Sequence, residues 1–167
     1  AALASARMGC KTLLMSIDVD KIASMPCSPS IGGTAKSQLV KEIDALGGEM
    51  AKITDSSAIQ YKTLNTRKGP AVRSTRTQND KGLYSRNMKA VIEKTKNLHL
   101  KQATAQQLLI ENHTVKGLKD ETGFEYSSKA IVIASGTFLQ GIVHIGSSKI
   151  PAGRAGEFSS VDLAQNL

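Results

Sequence analysis

The stretch Pro26-Cys27-Ser28-Pro29-Ser30-Ile31-Gly32-Gly33-Thr34-Ala35-Lys36 places a cysteine, two prolines and a glycine pair directly ahead of an amphipathic helix pattern. The prolines restrict the backbone around Cys27, and the glycine pair lets the chain approach a ligand closely. The helix that follows would present free N–H groups and the positive end of its dipole. Such a loop suits an anion or a thiolate, although a buried cysteine at a helix entry explains the same residues equally well. We call residues 26–29 the Cys27 loop.

Two helices are predicted from apolar residues that recur at 3.6-residue spacing. The first carries Leu39, Val40, Ile43, Leu46 and Met50 on one face, with Thr34 or Ser37 as N-cap candidates and Gly47-Gly48 as its end. The second carries Leu83, Tyr84, Met88, Val91 and Ile92, and Asn79 or Asp80 lies near its start. Between them, residues 58–61 predict a short extended piece, and residues 64–73 predict an ordered or ligand-ordered loop.

Basic residues are concentrated between Asp55 and Asp80, an interval without any acidic residue. The formal net charge is +8, and five cations lie inside this interval: Lys62, Arg67, Lys68, Arg73 and Arg76. A solvated surface loop is one explanation. A site for the phosphates of a cofactor or of RNA accounts better for so one-sided a stretch. The aromatic content of 4% argues against a self-sufficient single-stranded RNA platform.

Length and composition predict a soluble globular chain. Its 167 residues suit one domain or a piece of one, and no apolar run approaches the roughly 20 residues that span a membrane. The chain starts without a methionine, so we do not expect Ala1 to be a natural start. Two cysteines and three scattered histidines predict neither a zinc site nor a disulfide scaffold, and they favour a reducing compartment. Cys10 is expected to be a packing residue, and His99 and His113 to be structural or exposed.

The first residues predict half of a βαβ unit. Residues 1–9 resemble the last turns of a helix with Gly9 as C-cap, and residues 11–16 form an apolar run typical of a buried parallel strand. The strand and glycine turn that should precede this helix are expected to be missing.

From residue 97 the apolar pattern changes from helical to alternating. Leu98 and Leu100, residues 108–110, residues 115–119 and residues 124–126 predict four strands of an antiparallel β-meander. Residues 129–137 then predict a buried return strand that runs into a small-residue turn, where α/β folds place a cofactor. Glycines and Pro151 predict loops beyond it. The expected divisions of this one partial domain are 1–96, 97–128 and 129–167.

Several motifs in order resemble the glucose-inhibited division protein A family, also called MnmG. They cover nearly the whole chain and are Cys27-Ser28-Pro29-Ser30-Ile31-Gly32-Gly33, Glu42-Ile43-Asp44-Ala45-Leu46-Gly47-Gly48, Leu64-Asn65-Thr66-Arg67-Lys68-Gly69-Pro70-Ala71-Val72-Arg73, Gly136-Thr137-Phe138-Leu139 and Gly153-Arg154-Ala155-Gly156-Glu157. One departure is Ser28, where the family usually has asparagine. The resemblance implies an α/β fold, with a partial Rossmann-like FAD-binding domain and the antiparallel meander.

The resemblance also implies an activity. Members of the family use FAD to add an aminomethyl or carboxymethylaminomethyl group to the wobble uridine of certain tRNAs, with methylenetetrahydrofolate as one-carbon donor and NADH as reductant. They act with a GTPase partner called MnmE, in the cytoplasm or in a eukaryotic organelle, and the full-length protein is expected to be a homodimer. The chain resembles an N-terminal fragment of such an enzyme.

Site residues follow from the resemblance by position. Cys27 matches a cysteine implicated in the chemistry, Ala105 a residue that touches FAD through its backbone, and Ser160 a further FAD contact. Ser16 and Gly136 lie at strand ends where such folds approach the cofactor, and Gly32 and Gly33 are cofactor candidates as well. Arg67, Lys68, Arg73 and Arg76 are expected to contact FAD or tRNA phosphates. No metal ligand is predicted.

Our hypothesis is that Cys27 is a nucleophile or a redox-active thiol. Addition of its thiolate to a uracil ring would generate an enolate-like carbon that attacks an electrophilic one-carbon unit. Two alternatives remain open at this point. The chain could be an inert structural or RNA-contacting fragment, or it could belong to the related folate- and FAD-dependent tRNA uridine methyltransferases.

Overall fold

The computed structural model describes residues 1–154 and 156–167, and these residues form two units. The first unit comprises Ala1–Leu14 and Asp18–Lys101, and the second comprises Met15–Ile17 and Gln102–Leu167. Helices and strands are mixed along the chain, with three antiparallel sheets and one parallel strand pair, so the predicted α/β class is confirmed. Within the described residues, no helix is long and apolar enough to cross a membrane.

Nine elements span residues 2–102. In chain order they are α1 (Ala2–Arg7), β1 (Thr12–Ser16), β2 (Ser30–Gly32), α2 (Lys36–Ala45), α3 (Met50–Ser57), β3 (Ala58–Leu64), β4 (Ser74–Asn79), α4 (Lys81–Lys94) and β5 (Leu98–Gln102). Six more follow: β6 (Ala105–Glu111), β7 (Thr114–Asp120), β8 (Glu125–Ser127), β9 (Ile142–Ile145), β10 (Ser148–Pro151) and α5 (Val161–Asn166).

The predicted helix tail and the strand after it are confirmed as α1 and β1, but the strand is half-buried rather than buried, and Leu13 is 40% exposed. Strand β1 pairs with β5, and the backbone bonds from Thr12 N to Asn97 O and from Ala103 N to Ser16 O make the pair parallel. The prediction that Cys10 packs in the interior is wrong, because Cys10 is exposed. It lies just after Gly9, whose φ of 90° turns the chain at the surface between α1 and β1.

Helix α4 carries most of the apolar packing in the first unit. One end of its apolar face contributes Ile92 to a cluster with Ala6 and Leu98, and the other contributes Tyr84 to a cluster with Met25 and Ile53. Burial raises the pKa of the Tyr84 phenol. The helix starts as predicted at Asp80, whose carboxylate accepts a 2.8 Å hydrogen bond from Leu83 N.

Helix α2 forms where it was predicted, and Gly47, with a φ of 82°, follows its end. Its start differs from the prediction, because neither Thr34 nor Ser37 is the N-cap. Ala35 takes that position in the left-handed conformation, and the Gly33 carbonyl accepts bonds from the amides of Lys36 and Ser37. The acceptor at the start of α2 is therefore a backbone carbonyl and not the side-chain hydroxyl that the sequence predicted. Met50, assigned to this helix from the sequence, belongs to the separate helix α3.

An antiparallel sheet in the order β2-β4-β3 supports the Cys27 loop and the basic interval. The sequence predicted only the first residues of β3 and neither of the other strands. The central strand β4, Ser-Thr-Arg-Thr-Gln-Asn, has no apolar side chain, yet Ser74, Thr77 and Asn79 are buried. Their polar atoms are hydrogen-bonded, which is the condition for burying such groups at low cost.

In the second unit the antiparallel meander consists of β6, β7 and β8. The strand containing Leu98 and Leu100 was predicted to begin this meander, but it pairs with β1 instead. The turn after β7 is organised by Asp120, which is buried. Its carboxylate accepts bonds from Thr122 Oγ1 at 2.6 Å, Tyr126 OH at 2.8 Å, Thr122 N at 2.9 Å and Phe124 N at 3.0 Å.

The predicted return strand over residues 129–137 does not form. Among the described residues no strand pairs with this segment, and Val132 is 74% exposed, so its apolar residues lack the backbone ladder and the cover that a buried strand requires. The region expected to be loops contains the hairpin β9–β10 and helix α5. Leu163 of α5 is buried, and Asn166 Oδ1 accepts a 2.7 Å bond from Leu108 N of β6.

Candidate functional site

The basic interval folds as one long hairpin, residues 58–79, which we call the basic hairpin. Strands β3 and β4 pair antiparallel, and their register puts Lys62 directly opposite Arg76. Like charges at opposed positions destabilise a strand pair. Within the described residues no salt bridge joins either cation to a carboxylate, so the hairpin presents uncompensated positive charge.

The loop that connects these strands is ordered by Asn65. This residue lies in the left-handed region with a φ of 58°, and its Nδ2 donates to Thr34 Oγ1 at 3.0 Å and to the Val72 carbonyl at 2.9 Å. Gln38 of α2 donates a further bond, of 3.2 Å, to the Ala71 carbonyl. The loop is thus tied to the segment that follows the glycine pair.

The four predicted phosphate contacts differ in their surroundings. Arg73 Nε donates to the Lys68 carbonyl at 3.2 Å, and Arg76 Nη2 donates to Ser30 Oγ at 3.2 Å. Arg67 and Lys68 are exposed, and their own side chains make no hydrogen bond or ion pair within residues 1–154 and 156–167. Of the four side chains, those of Arg67 and Lys68 are the most available to an external anion.

The Cys27 loop runs along the edge of the same sheet. Cys27 is exposed, while Met25 just before it is buried in the cluster with Ile53 and Tyr84. Ser28 Oγ lies 2.8 Å from Ser30 Oγ, and the Pro29 carbonyl accepts a 2.7 Å bond from Asn79 N. The structure therefore brings the predicted thiol into one region with Arg76, although the two are 49 positions apart in sequence.

The glycine pair has a packing role in this sheet. Gly32 has a φ of 87°, and a Cβ at this position would lie 2.2 Å from the Thr75 carbonyl oxygen. Gly33 N donates to that same oxygen at 2.8 Å. Only glycine fits at position 32, because β2 approaches β4 so closely. The assignment of Gly32 and Gly33 to the cofactor stays a prediction.

An open groove of about 500 Å³ lies beside the Cys27 loop in the first unit. Its lining residues are Asp20, Ser24, Met25, Pro26, Lys81, Gly82, Ser85 and Arg86. At its border Lys89 Nζ lies 2.7 Å from Asp20 Oδ1, and this contact raises the pKa of Lys89 and lowers the pKa of Asp20. The groove thus has both acidic and basic walls, and no sequence motif pointed to it.

In the second unit, the turn at Gly136 and the start of α5 are joined. Ser160 N donates to the Phe138 carbonyl at 2.8 Å, and Gln140 N donates to the Ser160 carbonyl at 3.1 Å. Gly136 has a φ of 58°, and no atom lies within 4 Å of the position that a Cβ would take. Two of the predicted cofactor residues, Gly136 and Ser160, therefore share one loop cluster.

The same cluster is held by close packing around Phe138. A Cβ on Gly153 would lie 2.2 Å from this ring, and the Arg154 guanidinium stacks over it at 5.0 Å. Thr137 Oγ1 donates to the Gly153 carbonyl at 2.8 Å. Ala155, inside one of the quoted motifs, lies outside the described residues.

The other two cofactor candidates lie on strands. Ser16 ends β1, and its carbonyl accepts a bond from Ala103 N. Ala105 begins β6 opposite Asp120, beside an irregularity in the pairing register. All three histidines are exposed. Within the described residues, no group of three His, Cys, Asp or Glu side chains is placed to hold a metal ion.

Sequence reasoning missed the residues that organise these sites. Ser30, Gln78 and Asn79 hold the Cys27 loop, and Asn65 holds the loop of the basic hairpin. Asn65 lies inside a quoted motif, which was a usable signal. Ser30 also lies inside a quoted motif, and Asn79 was a candidate for the start of α4. Their roles in holding the Cys27 loop, like that of Gln78, depend on the β2–β4 register, which no local pattern identifies.

Comparison with known proteins gives a consistent result. The family model described as "Glucose inhibited division protein A" matches residues 1–167. The tRNA uridine 5-carboxymethylaminomethyl modification enzymes MnmG of Syntrophobacter fumaroxidans and Pelobacter propionicus are 56% and 52% identical over the whole chain. The chain spans 26% and 27% of their lengths, or about a quarter of each relative.

Solved structures agree with this similarity. Aquifex aeolicus GidA in its form I crystal superposes with a TM-score of 0.94 at 48% identity, over 99% of this chain and 28% of that one. The GidA-related protein from Thermus thermophilus gives a TM-score of 0.64 at 22% identity, over 99% of this chain and 60% of that one. At that identity the second likeness is one of fold alone.

Proposed function

Because the chain belongs to the glucose inhibited division protein A family, we propose that it is part of an FAD-dependent enzyme that modifies the wobble uridine of tRNA. The reaction adds an aminomethyl or carboxymethylaminomethyl group, with methylenetetrahydrofolate and NADH as co-substrates and the GTPase MnmE as partner. The complete protein works as a homodimer in the cytoplasm. The match of the family model over residues 1–167 is the observation that carries this proposal, and the activity belongs to the complete enzyme.

The basic hairpin is the element proposed to contact tRNA. Its tip carries Arg67 and Lys68, both exposed, on a loop that Asn65 and Gln38 hold in place. A cation on a fixed loop loses less conformational entropy on binding than one on a mobile loop. The hairpin's excess of positive charge is complementary to the negative charge of a phosphate backbone.

The salt dependence of tRNA binding tests this role. For the full-length protein, replacing Arg67 and Lys68 by glutamine should lower the slope of log affinity against log salt concentration by about 1 for each phosphate that the variant no longer binds. Lys52→Gln removes one charge from an exposed position on α3 and serves as the control. An unchanged slope in the Arg67/Lys68 variant would reject the hairpin as a tRNA contact.

The residues of the second unit fit a flavin dinucleotide at one place. No atom lies within 4 Å of the position that a Cβ on Gly136 would take, so the backbone here is open to a ligand, and any side chain at this position would occupy that space. The adjoining Ser160 is half-buried at the start of α5. Gly136 and Ser160 would hold the cofactor there, with Ala105 as a further contact through its backbone and Ser16 as a contact at the end of β1. FAD, when bound, supplies the redox chemistry of the reaction.

Cys27 is proposed as the nucleophile or redox-active thiol. In the nucleophilic role, its sulfur forms a bond to a carbon of the uracil double bond, and the electron pair of that bond moves to the neighbouring carbon and carbonyl. That carbon then attacks an electrophilic one-carbon unit, and loss of a proton and of the thiolate restores the ring. The thiol is exposed, so a substrate ring has access to it.

Thiol alkylation tests the assignment of Cys27. Cys10 and Cys27 are the two cysteines of the chain and both are exposed, so burial does not bias the comparison. If Cys27 is a reactive thiol, it should be alkylated faster than Cys10 near neutral pH. If Cys27 reacts no faster than Cys10, the proposed role of Cys27 is wrong.

A further inference from the structure

We infer that strand β4 positions the Cys27 loop through Arg76, Gln78 and Asn79, so that Arg76 is a positioning residue for the thiol as well as one of the basic hairpin's cations. The inference rests on the proposed role of Cys27 in the reaction. It separates Arg76 from Arg67 and Lys68, which the sequence could not distinguish.

The first support is the hydrogen bonding of the Ser30 hydroxyl. A serine hydroxyl has one hydrogen and two acceptor lone pairs. Ser30 Oγ donates its hydrogen to Gln78 Oε1 and accepts a 3.2 Å bond from Arg76 Nη2. The 2.8 Å contact with Ser28 Oγ must then be donated by Ser28. The one hydrogen and both lone pairs of Ser30 Oγ are therefore engaged, and Ser30 connects Arg76 to Ser28, the residue next to Cys27.

The second support is the buried side chain of Asn79. This residue is 2% exposed, yet it lies at the end of a strand. Its backbone N donates to the Pro29 carbonyl at 2.7 Å and its Nδ2 donates to the same oxygen at 3.2 Å. Nδ2 also donates to Thr77 Oγ1 at 3.1 Å. The Pro29 carbonyl is therefore fixed by two donors from one residue.

Together these contacts hold the loop on the carboxyl-terminal side of Cys27. Ser30, Arg76 and Gln78 lie on the same face of the sheet, because Ser30 is opposite Gln78 and Gly32 is opposite Arg76 in the β2–β4 register. On the other side of the thiol, Met25 is buried in the core. Only residues 26–28 lie between the two fixed points, Met25 in the core and Pro29 at β4. The conformational freedom of Cys27 therefore depends on its contacts with β4.

The test is the ratio of Cys27 to Cys10 alkylation by iodoacetamide, measured by mass spectrometry across pH. The plateau that this ratio reaches at high pH reports how readily the reagent reaches each thiol. Arg76→Gln should raise this plateau ratio by about 2- to 10-fold, the range that loss of one hydrogen bond allows. Arg76→Lys, which can still donate to Ser30, should restore part of the wild-type ratio.

Controls separate positioning from charge and from folding. Arg67→Gln removes the same charge without touching the loop and should leave the ratio unchanged. Thermal unfolding shows whether each variant is folded. In a Ser30→Ala background, Arg76→Gln should have no further effect, because the connection is already broken.

Two results would overturn the inference: an unchanged plateau ratio in Arg76→Gln, or an equal change in Arg67→Gln. The experiment contains neither tRNA nor flavin, so its outcome is independent of whether the chain acts in tRNA modification. Slow alkylation of wild-type Cys27 relative to Cys10 would reject the proposed function of the thiol, while a raised ratio in the variant would still support positioning.

Discussion

At the scale of single residues, Asp120 shows how a turn can depend on one carboxylate. The Thr122 hydroxyl, the Tyr126 hydroxyl and two backbone amides donate to it, and these bonds lower its pKa from 3.8 to about 2 although burial opposes the shift. The same bonding raises the pKa of the Tyr126 phenol. Because the charged form is favoured only in the folded chain, the stability of the fold is linked to the ionisation of Asp120.

This linkage predicts a pH dependence. A depressed pKa in the folded state gives a stabilisation that is complete above the unfolded pKa of 3.8 and is lost as pH falls towards about 2. Asp120→Asn should therefore be less stable than wild type near neutral pH, and its stability should fall less between about pH 4 and 2. Denaturant unfolding at several pH values measures this. Glu125→Gln, at an exposed site on β8, should leave the wild-type dependence intact.

A second prediction at this scale concerns Gly136. Gly136 and Gly146 both have a φ of 58° and open space where a Cβ would be, so an alanine at either site imposes the same backbone strain. Gly136→Ala should weaken FAD binding by the full-length protein by about tenfold or more, since the added methyl fills the proposed cofactor surface. Gly146→Ala should not. Flavin fluorescence titration measures both, and equal affinities would remove Gly136 from the cofactor site.

At the scale of elements, the sequence predicted those whose pattern is local. Helix α4 and the hairpin β6–β7 were found because apolar spacing and turn residues lie within a few positions of each other. Strand β4 was not, because its buried positions hold Ser74, Thr77 and Asn79, and polar residues give no hydrophobic alternation. Arg76 was recognised as a cation, but its contact with Ser30 depends on a register that spans 46 residues.

Strand β4 leads to a prediction of stability. Asn79→Ala leaves the Pro29 carbonyl without its side-chain donor and removes the hydrogen bond that Asn79 Nδ2 donates to the buried Thr77 hydroxyl. We expect a loss of about 2 to 4 kcal/mol in the free energy of unfolding. Thr63→Ala, at an exposed site on edge strand β3, should change it by less than about 0.5 kcal/mol. Equal effects would contradict the role of Asn79 as an anchor.

At the scale of the whole molecule, the sequence predicted the fold class correctly, but it also predicted a paired return strand over residues 129–137 that does not form. This segment has the β-branched apolar composition of a buried strand, and composition alone cannot show whether a partner strand is present. Hydrogen exchange should show little protection at residues 129–134 and strong protection at Leu109 and Leu118 of the meander. Comparable protection in both would mean that the segment is paired in solution.

The separation in sequence between paired strands also bears on the order in which the chain folds. Strands β6, β7 and β8 are consecutive and joined by short turns, so little entropy is lost in closing them. Strand β2 pairs with β4 only after the long intervening segment from Gly33 to Arg73 has closed into a loop, so this pairing should be slower than pairing within the meander. The Cys27 loop should therefore close late in folding, and the rate at which a thiol reagent labels Cys27 during refolding should reach its native value only when β4 has docked against β2.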